Sequence, residues 1–193
     1  MRRSAHFTVS AVLLALSPAG THSQDTSSIK AYVVKIVRDV ELRTSASEEW
    51  RKAILLAELR AGYELRTGEK SFAMIKYGDD SKIALREQSH VVVGGIVSGK
   101  QILRRDIFIN RGRLVFDINK GWPVVCRILS PISSATLRGG EGGASYQPSL
   151  KQATLTAGSG GAAFASTQVK CSVTIPPSKT GIIDSAGCRT GKK

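Results

Sequence analysis

Apolar and polar residues alternate with a period of two over much of the chain beyond residue 30. Tyr32, Val34 and Ile36 fall on one face of a predicted strand, and Leu114, Phe116 and Ile118 on one face of another. Val169, Cys171, Val173 and Ile175 alternate with Lys170, Ser172 and Thr174 in a third. Turn-forming residues punctuate these runs at Thr67-Gly68, Gly78-Asp79-Asp80, Gly94-Gly95, Asn110-Arg111-Gly112 and Asn119-Lys120-Gly121. The pattern predicts an all-β fold of short antiparallel strands, arranged as a sandwich or a short solenoid-like body. Residues 46–61 are ambiguous. Ser45 and Glu48 have capping-box spacing and Gly62 sits where a helix would stop, yet Lys52 to Leu59 equally suits a buried strand. After Arg138 glycine becomes frequent (Gly139, Gly140, Gly142, Gly143, Gly158, Gly160, Gly161), which predicts a glycine-rich C-terminal extension over 140–193, with flexible links flanking weaker strands or a tail.

The N-terminus changes the compartment. Arg2 and Arg3 precede an apolar run from Phe7 to Leu16 that Pro18 breaks, the order of a secretory signal peptide over residues 1–23. As a helix that run would span about 15 Å, half of a bilayer core, so no transmembrane anchor is expected from it. Small residues favour cleavage ahead of Gln24 or after Ala19. The mature protein is expected in the periplasm or outside the cell.

Charge adds a class of partner. The 193 residues carry 28 Lys and Arg against 15 Asp and Glu, a net charge of +13. The surplus gathers in Lys100, Arg104, Arg105, Arg111, Arg113, Lys120 and Arg127, opposed in that stretch by Asp106 and Asp117. A patch for an anionic partner follows, such as lipopolysaccharide, an acidic glycan or an acidic protein face. The alternative is that these cations line strand edges, where they deter edge-to-edge pairing. Nucleic acid is not expected, because export removes that partner and no aromatic residues interleave with the cations to stack bases.

Little else points to chemistry. Once His6 and His22 leave with the leader, His90 is the single histidine, and it opens the strand-like run Val91-Val92-Val93 with no G-x-S-x-G elbow in the chain. Zinc held by several histidines is excluded by count. Gly62 and Gly68-Glu69-Lys70-Ser71 miss the spacing of a phosphate-binding loop, and Asp79-Asp80-Ser81 lacks the rest of a calcium loop. Nothing marks two of Asp106, Asp117, Glu141 and Asp184 as a catalytic pair. No catalytic residue, metal or cofactor is assigned, and the protein is not expected to be an enzyme. Of the cysteines Cys126, Cys171 and Cys188, the last two are spaced to close a short loop by a disulfide in an oxidising compartment; free buried thiols are the other possibility.

Between residues 30 and 139 the order of motifs resembles the FecR domain, first associated with the periplasmic regulator of ferric-citrate uptake. The resemblance rests on an opening strand at Val33 to Val37, then Leu59, Gly62, Leu65, Thr67, Gly68, Ser71, Ala73, Ile75, Asp79, Asp80, Ser81 and Leu85. Gly112-Arg113-Leu114-Val115-Phe116, Ser130-Pro131 and Ala135-Thr136-Leu137-Arg138-Gly139 follow. It implies an all-β domain with Leu65, Ile75, Leu85, Leu114 and Phe116 facing the core, and favours strand for Lys52 to Leu59. The chain departs from the family in Arg138-Gly139-Gly140-Glu141-Gly142, where an Arg-Gly-Thr and an acid before an aromatic are usual, so a frayed or rerouted closing strand is expected. The anti-sigma segment and membrane helix of the ferric-citrate regulator have no match here, and sigma-factor control is not carried over. The expected role is an exported, non-catalytic binding or signalling module of the bacterial envelope, for a protein partner or an anionic glycan. The alternative is a structural or accessory scaffold protein of an envelope assembly that makes contact through its tail.

Overall fold

A computed structural model describes residues 31–98, 101–121 and 124–192. The leader over 1–23 and Lys100 lie outside the described residues. The chain forms β1 (Ala31–Val37), β2 (Val40–Arg43), β3 (Arg51–Lys52), β4 (Glu58–Leu59), β5 (Glu64–Thr67), β6 (Phe72–Tyr77), β7 (Lys82–Leu85), β8 (His90–Ser98) and β9 (Gln101–Ile118). It continues through β10 (Val125–Ser130), β11 (Ser133–Leu137), β12 (Gly140–Gln147), β13 (Gln152–Ala157), β14 (Ala162–Ser166), β15 (Ser172–Ile175), β16 (Lys179–Asp184) and β17 (Gly187–Lys192), with a 3-10 turn at Pro148–Leu150.

Two sheets share one strand. The first runs β4-β1-β6-β7-β9-β12-β13-β16-β17, and the second runs β3-β2-β5-β8-β9-β10-β11-β14-β15. Up to Arg111, β9 belongs to the second sheet; from Gly112 onward it pairs with β7 and β12 in the first. A strand that bends from one sheet into another makes the corner of a sandwich. Gly112 takes φ +91 at that corner, where a β-carbon would strike Ser89 and the Gln88 carbonyl. All-β architecture is therefore observed, with two departures from the short antiparallel strands expected: β9 is 18 residues long, and it pairs with β10 in parallel.

The core lies between the inward faces of the two sheets. Leu65, Ile75, Leu85 and Leu114 are fully buried and Phe116 nearly so. In β1 the fully buried face is that of Ala31 and Val33, while Tyr32, Val34 and Ile36 on the other face are half-buried, and a bulge lies between Val33 and Lys35. Gly94-Gly95 and Asn110-Arg111-Gly112 are not turns but strand interior, held by the β8–β9 ladder and, at Gly112, by β12. Glycine signals a bend as readily as a chain reversal.

Residues 46–61 form neither the helix nor the continuous strand expected. They hold β3 and β4, separated by a crossover in which Ala53 N–H donates to Val40 O (2.9 Å) and Leu56 N–H to Val33 O (2.8 Å). This crossover joins the terminal strands of the two sheets, burying part of Ala53 and Ala57 and leaving Ile54, Leu55 and Leu56 60–72% exposed. The capping-box signal yields to two ladders that only tertiary pairing can supply.

Nor is the glycine run after Arg138 a frayed link. Gly140 to Tyr146 pair with β9, and Gly142 to Gln147 pair with β13. The close approach of Thr156 O and the Phe116 ring to Gly142 leaves no room for a side chain. At the opposite end from the crossover, Cys171 and Cys188 form a disulfide with Cα atoms 5.8 Å apart, tying the segment before β15 to β17.

Candidate anion-binding groove

The cations singled out in the sequence separate into four environments. Arg105 points inward and is fully buried; its Nη2 donates to Asp79 Oδ2 at 2.9 Å, and its guanidinium lies 3.8 Å from the Tyr77 ring centroid. It is a core residue, not part of a surface patch. Arg104 and Arg127 both serve Asp106: Arg127 donates from Nε and Nη2 at 2.8 Å, and Arg104 from Nε at 3.1 Å. Burial pushes the Asp106 carboxyl up, but the hydrogen bonds and charge of the two arginines outweigh it and hold the group below its ordinary value. Lys120 lies exposed in the turn after β9, packed beside Gly139. Lys100 falls outside the described residues. Arg111 and Arg113 are exposed at the β9 bend and make no ion pair among the described residues.

These last two line a groove of about 550 Å³ together with a third arginine, Arg86. The groove is built by the β7–β8 turn (Arg86, Glu87, Gln88), the β9 bend, the end of β12 (Ser145, Tyr146, Gln147) and the turn Pro148–Leu150. Register brings Arg86 there: Leu85 pairs with Leu114, and Arg86 N–H donates to Arg113 O at 2.9 Å. Ser89, fully buried, fixes the same strand, since its hydroxyl donates to Arg113 O and accepts from Arg113 N–H, both at 2.9 Å. Thr67 holds Ser89 in turn, accepting its N–H at 3.0 Å while donating to Arg86 O. The backbone under both Arg86 and Arg113 is thus pinned, and their side chains project from a rigid base. Arg86 also lies over the Phe72 ring at 5.7 Å. The one acid of the lining, Glu87, accepts from Lys70 N–H at 3.0 Å.

His90 sits elsewhere on the second sheet. Its Nε2 is 2.6 Å from Glu64 Oε2, its Nδ1 is 3.4 Å from Asn110 Nδ2, and its ring meets the edge of Trp50. Arg43 and Arg66 stack on Trp50 at 4.6 and 4.2 Å, and Arg43 also donates to Glu64. No hydroxyl or thiol hydrogen-bonds His90 among the described residues, so no nucleophile is activated there. In the Gly78–Ser81 turn the Asp79 carboxylate accepts from Ser81 Oγ (2.9 Å) and Arg105, a structural role, while Asp80 turns outward to Lys76 at 2.8 Å.

The model of the FecR protein family matches residues 63–163, just over half of the chain. The chain belongs to the FecR family. The matched stretch runs from Tyr63, before β5, into β14 and so contains every residue that lines the groove. Two crystal structures of a putative anti-sigma factor from Parabacteroides distasonis ATCC 8503 have the same fold over this FecR chain, each with a TM-score of 0.57, at 9% and 8% identity. Each alignment covers 67% of this chain and 59% of the other, so the chain spans well under two thirds of those neighbours. No curated protein matches the chain. Among the described residues no helix is long and apolar enough to cross a membrane.

Of the groove residues, Arg111 and Arg113 were legible in the sequence as cations, whereas Arg86 was not. It lies 25 positions before Arg111 in the chain, and only the β7–β9 register joins them. Arg105 did carry a signal. Counting back along β9 from the buried Ile109 and Ile107 places residue 105 on the inner face.

Proposed function

We propose that the protein is a non-catalytic binding module for signalling in the bacterial envelope, and that its groove at the β9 bend receives the anionic portion of a protein or glycan partner. FecR domains are envelope-associated, and the solved neighbour named as an anti-sigma factor is a regulatory protein, which favours a signalling partner over a metabolic substrate. The observation that carries the reading is the convergence of Arg86, Arg111 and Arg113 on one groove, on backbone locked by Ser89, three cations against the single acid Glu87 among the described lining residues. Guanidinium groups offer paired N–H donors that match carboxylate, sulfate and phosphate oxygens. Export by the leader would bring this groove to the periplasm or the cell exterior, and N-terminal sequencing of secreted protein tests that step.

Binding tests the role itself. Pulldown from envelope extract at low salt, repeated with Arg111→Glu and Arg113→Glu, is expected to recover a partner with the native protein and lose it with the variants. A partner retained equally by both proteins would contradict the reading. Deletion of 140–193 is not a usable test, because it removes β12 to β17 from both sheets.

A further inference from the structure

The groove has two unlike walls. Arg86, Arg111 and Arg113 form one, whereas the other is the Pro148–Leu150 turn, closed by Lys151 N–H donating to Pro148 O at 3.1 Å with Lys151 at φ +45. Leu150 in that turn is 62% exposed, so most of its side chain faces water. A purely ionic ligand would leave this leucine in water. A ligand with an apolar side chain beside its acids would cover it.

Sugar rings are recognised largely by stacking their C–H faces on exposed aromatic rings. Among the described residues the only aromatic one lining the groove is Tyr146, 6% exposed, whose ring belongs to the core. An acidic glycan would find charge here but no platform. An extended peptide finds both parts. Its side chains point alternately to either side, so acids can reach Arg111 and Arg113, which flank the Gly112 corner, while an apolar neighbour reaches Leu150. Gln88 and Gln147 supply neutral donors and acceptors for its backbone. The volume also lies within the roughly 300–1,000 Å³ usual for ligand sites.

We propose that the groove selects an extended acidic protein segment, with carboxylates on Arg111 and Arg113 and one apolar side chain seated on Leu150. This narrows the binding reading above and depends on it. Protein is the occupant favoured over glycan because the site joins cations to an exposed aliphatic side chain and lacks an exposed ring.

The test uses the purified full chain and three probes: a fluorescent peptide of alternating glutamate and serine carrying one leucine, the same peptide with serine for leucine, and heparin. The leucine peptide is expected to bind about tenfold more tightly than its serine counterpart, the scale of burying one leucine side chain. Leu150→Ser is expected to erase that difference while leaving the serine peptide unchanged. Leu150 is exposed, so the variant should fold, and an unchanged thermal transition verifies it. If Leu150→Ser leaves leucine-peptide binding unchanged, or if heparin binds and displaces both peptides alike, the selectivity proposed here is wrong while the groove still binds anions. If Arg111→Glu and Arg113→Glu alter neither peptide nor heparin binding, the binding reading itself falls, and this proposal with it.

Discussion

Arg105 and Asp79 form a hydrogen-bonded ion pair at 2.9 Å inside the sandwich, with side chains 0% and 2% exposed. Asp79 comes from the Gly78–Ser81 turn between β6 and β7 of the first sheet, and Arg105 from the first part of β9, in the second sheet, so the pair ties the two sheets together. Asn119 adds to the lock by donating from Nδ2 to Asp79 O at 2.8 Å. The Tyr77 ring covers the guanidinium, whose Nε and Nη1 have no hydrogen-bond partner among the described residues. Removing one member of such a pair strands a buried charge, whereas replacing both with apolar groups is far less costly. Asp79→Asn should therefore lose about 3–5 kcal/mol in urea unfolding, and Asp79→Leu with Arg105→Met substantially less. Equal losses would show that the charge pairing is not what holds the turn.

Acid should weaken the fold through Glu64 and Asp106. Burial raises the Glu64 carboxyl, but its hydrogen bonds from Arg43 and His90 prevail and hold it below the ordinary 4.5; Asp106 is likewise held below 3.8. Both groups are more acidic folded than unfolded. Their stabilisation is complete above those ordinary values and is lost as pH falls through the lower folded ones. Thermal unfolding followed from neutral pH downward should show a decline that begins below about pH 4.5, and Glu64→Gln should flatten it. An unchanged slope in that variant would remove Glu64 from the explanation.

The glycine run tests how the C-terminal half is built. A side chain at Gly142 would meet Thr156 O and the Phe116 ring, so Gly142→Val should cost about 1–3 kcal/mol, the usual penalty of overpacking. Gly191 faces open space, and Gly191→Ala should stay within about 0.5 kcal/mol of the native protein. If both are neutral, residues 140–147 are a loose connection and not a strand of the first sheet.

Cysteine chemistry should divide cleanly. The disulfide between Cys171 and Cys188 closes a loop with a sequence separation of 17, for which reduction should cost about 3 kcal/mol in the loop-entropy view. Cys126 is buried, and burial pushes its thiol up to about 12. Alkylation followed by mass spectrometry should label no cysteine in the native protein, Cys126 on unfolding, and Cys171 with Cys188 only after reduction. Labelling of Cys171 without reductant would contradict the pairing.

Much of the fold could be read from alternation alone, because a strand with one wet face must repeat every second residue. Leu65, Ile75, Leu85, Leu114 and Phe116 are buried for that reason. What escaped the sequence depended on contacts between distant residues. The helix signal over 46–61 is local and loses to the pairing of Ala53 with Val40 and of Leu56 with Val33. Gly139 to Gly143 read as flexible because glycine is flexible alone, yet between β9 and β13 its small size is what fits. The cations looked like one patch because they are close in sequence, and period two sends Arg105 inward while register carries Arg86 to Arg113.

Location, and not total charge, is the centre of this account, and matched variants can separate the two. Arg111→Gln with Arg113→Gln and Arg104→Gln with Arg127→Gln remove the same charge, the first pair from the groove and the second from the Asp106 clamp. Fluorescence anisotropy with an acidic peptide, titrated at several salt concentrations, is the direct measurement. We expect the groove variant to lose binding at every salt concentration and the clamp variant to retain nearly all of it, with native binding weakening as salt rises. Equal losses in the two variants would mean that the protein attracts anions through net charge alone and that the groove recognises nothing.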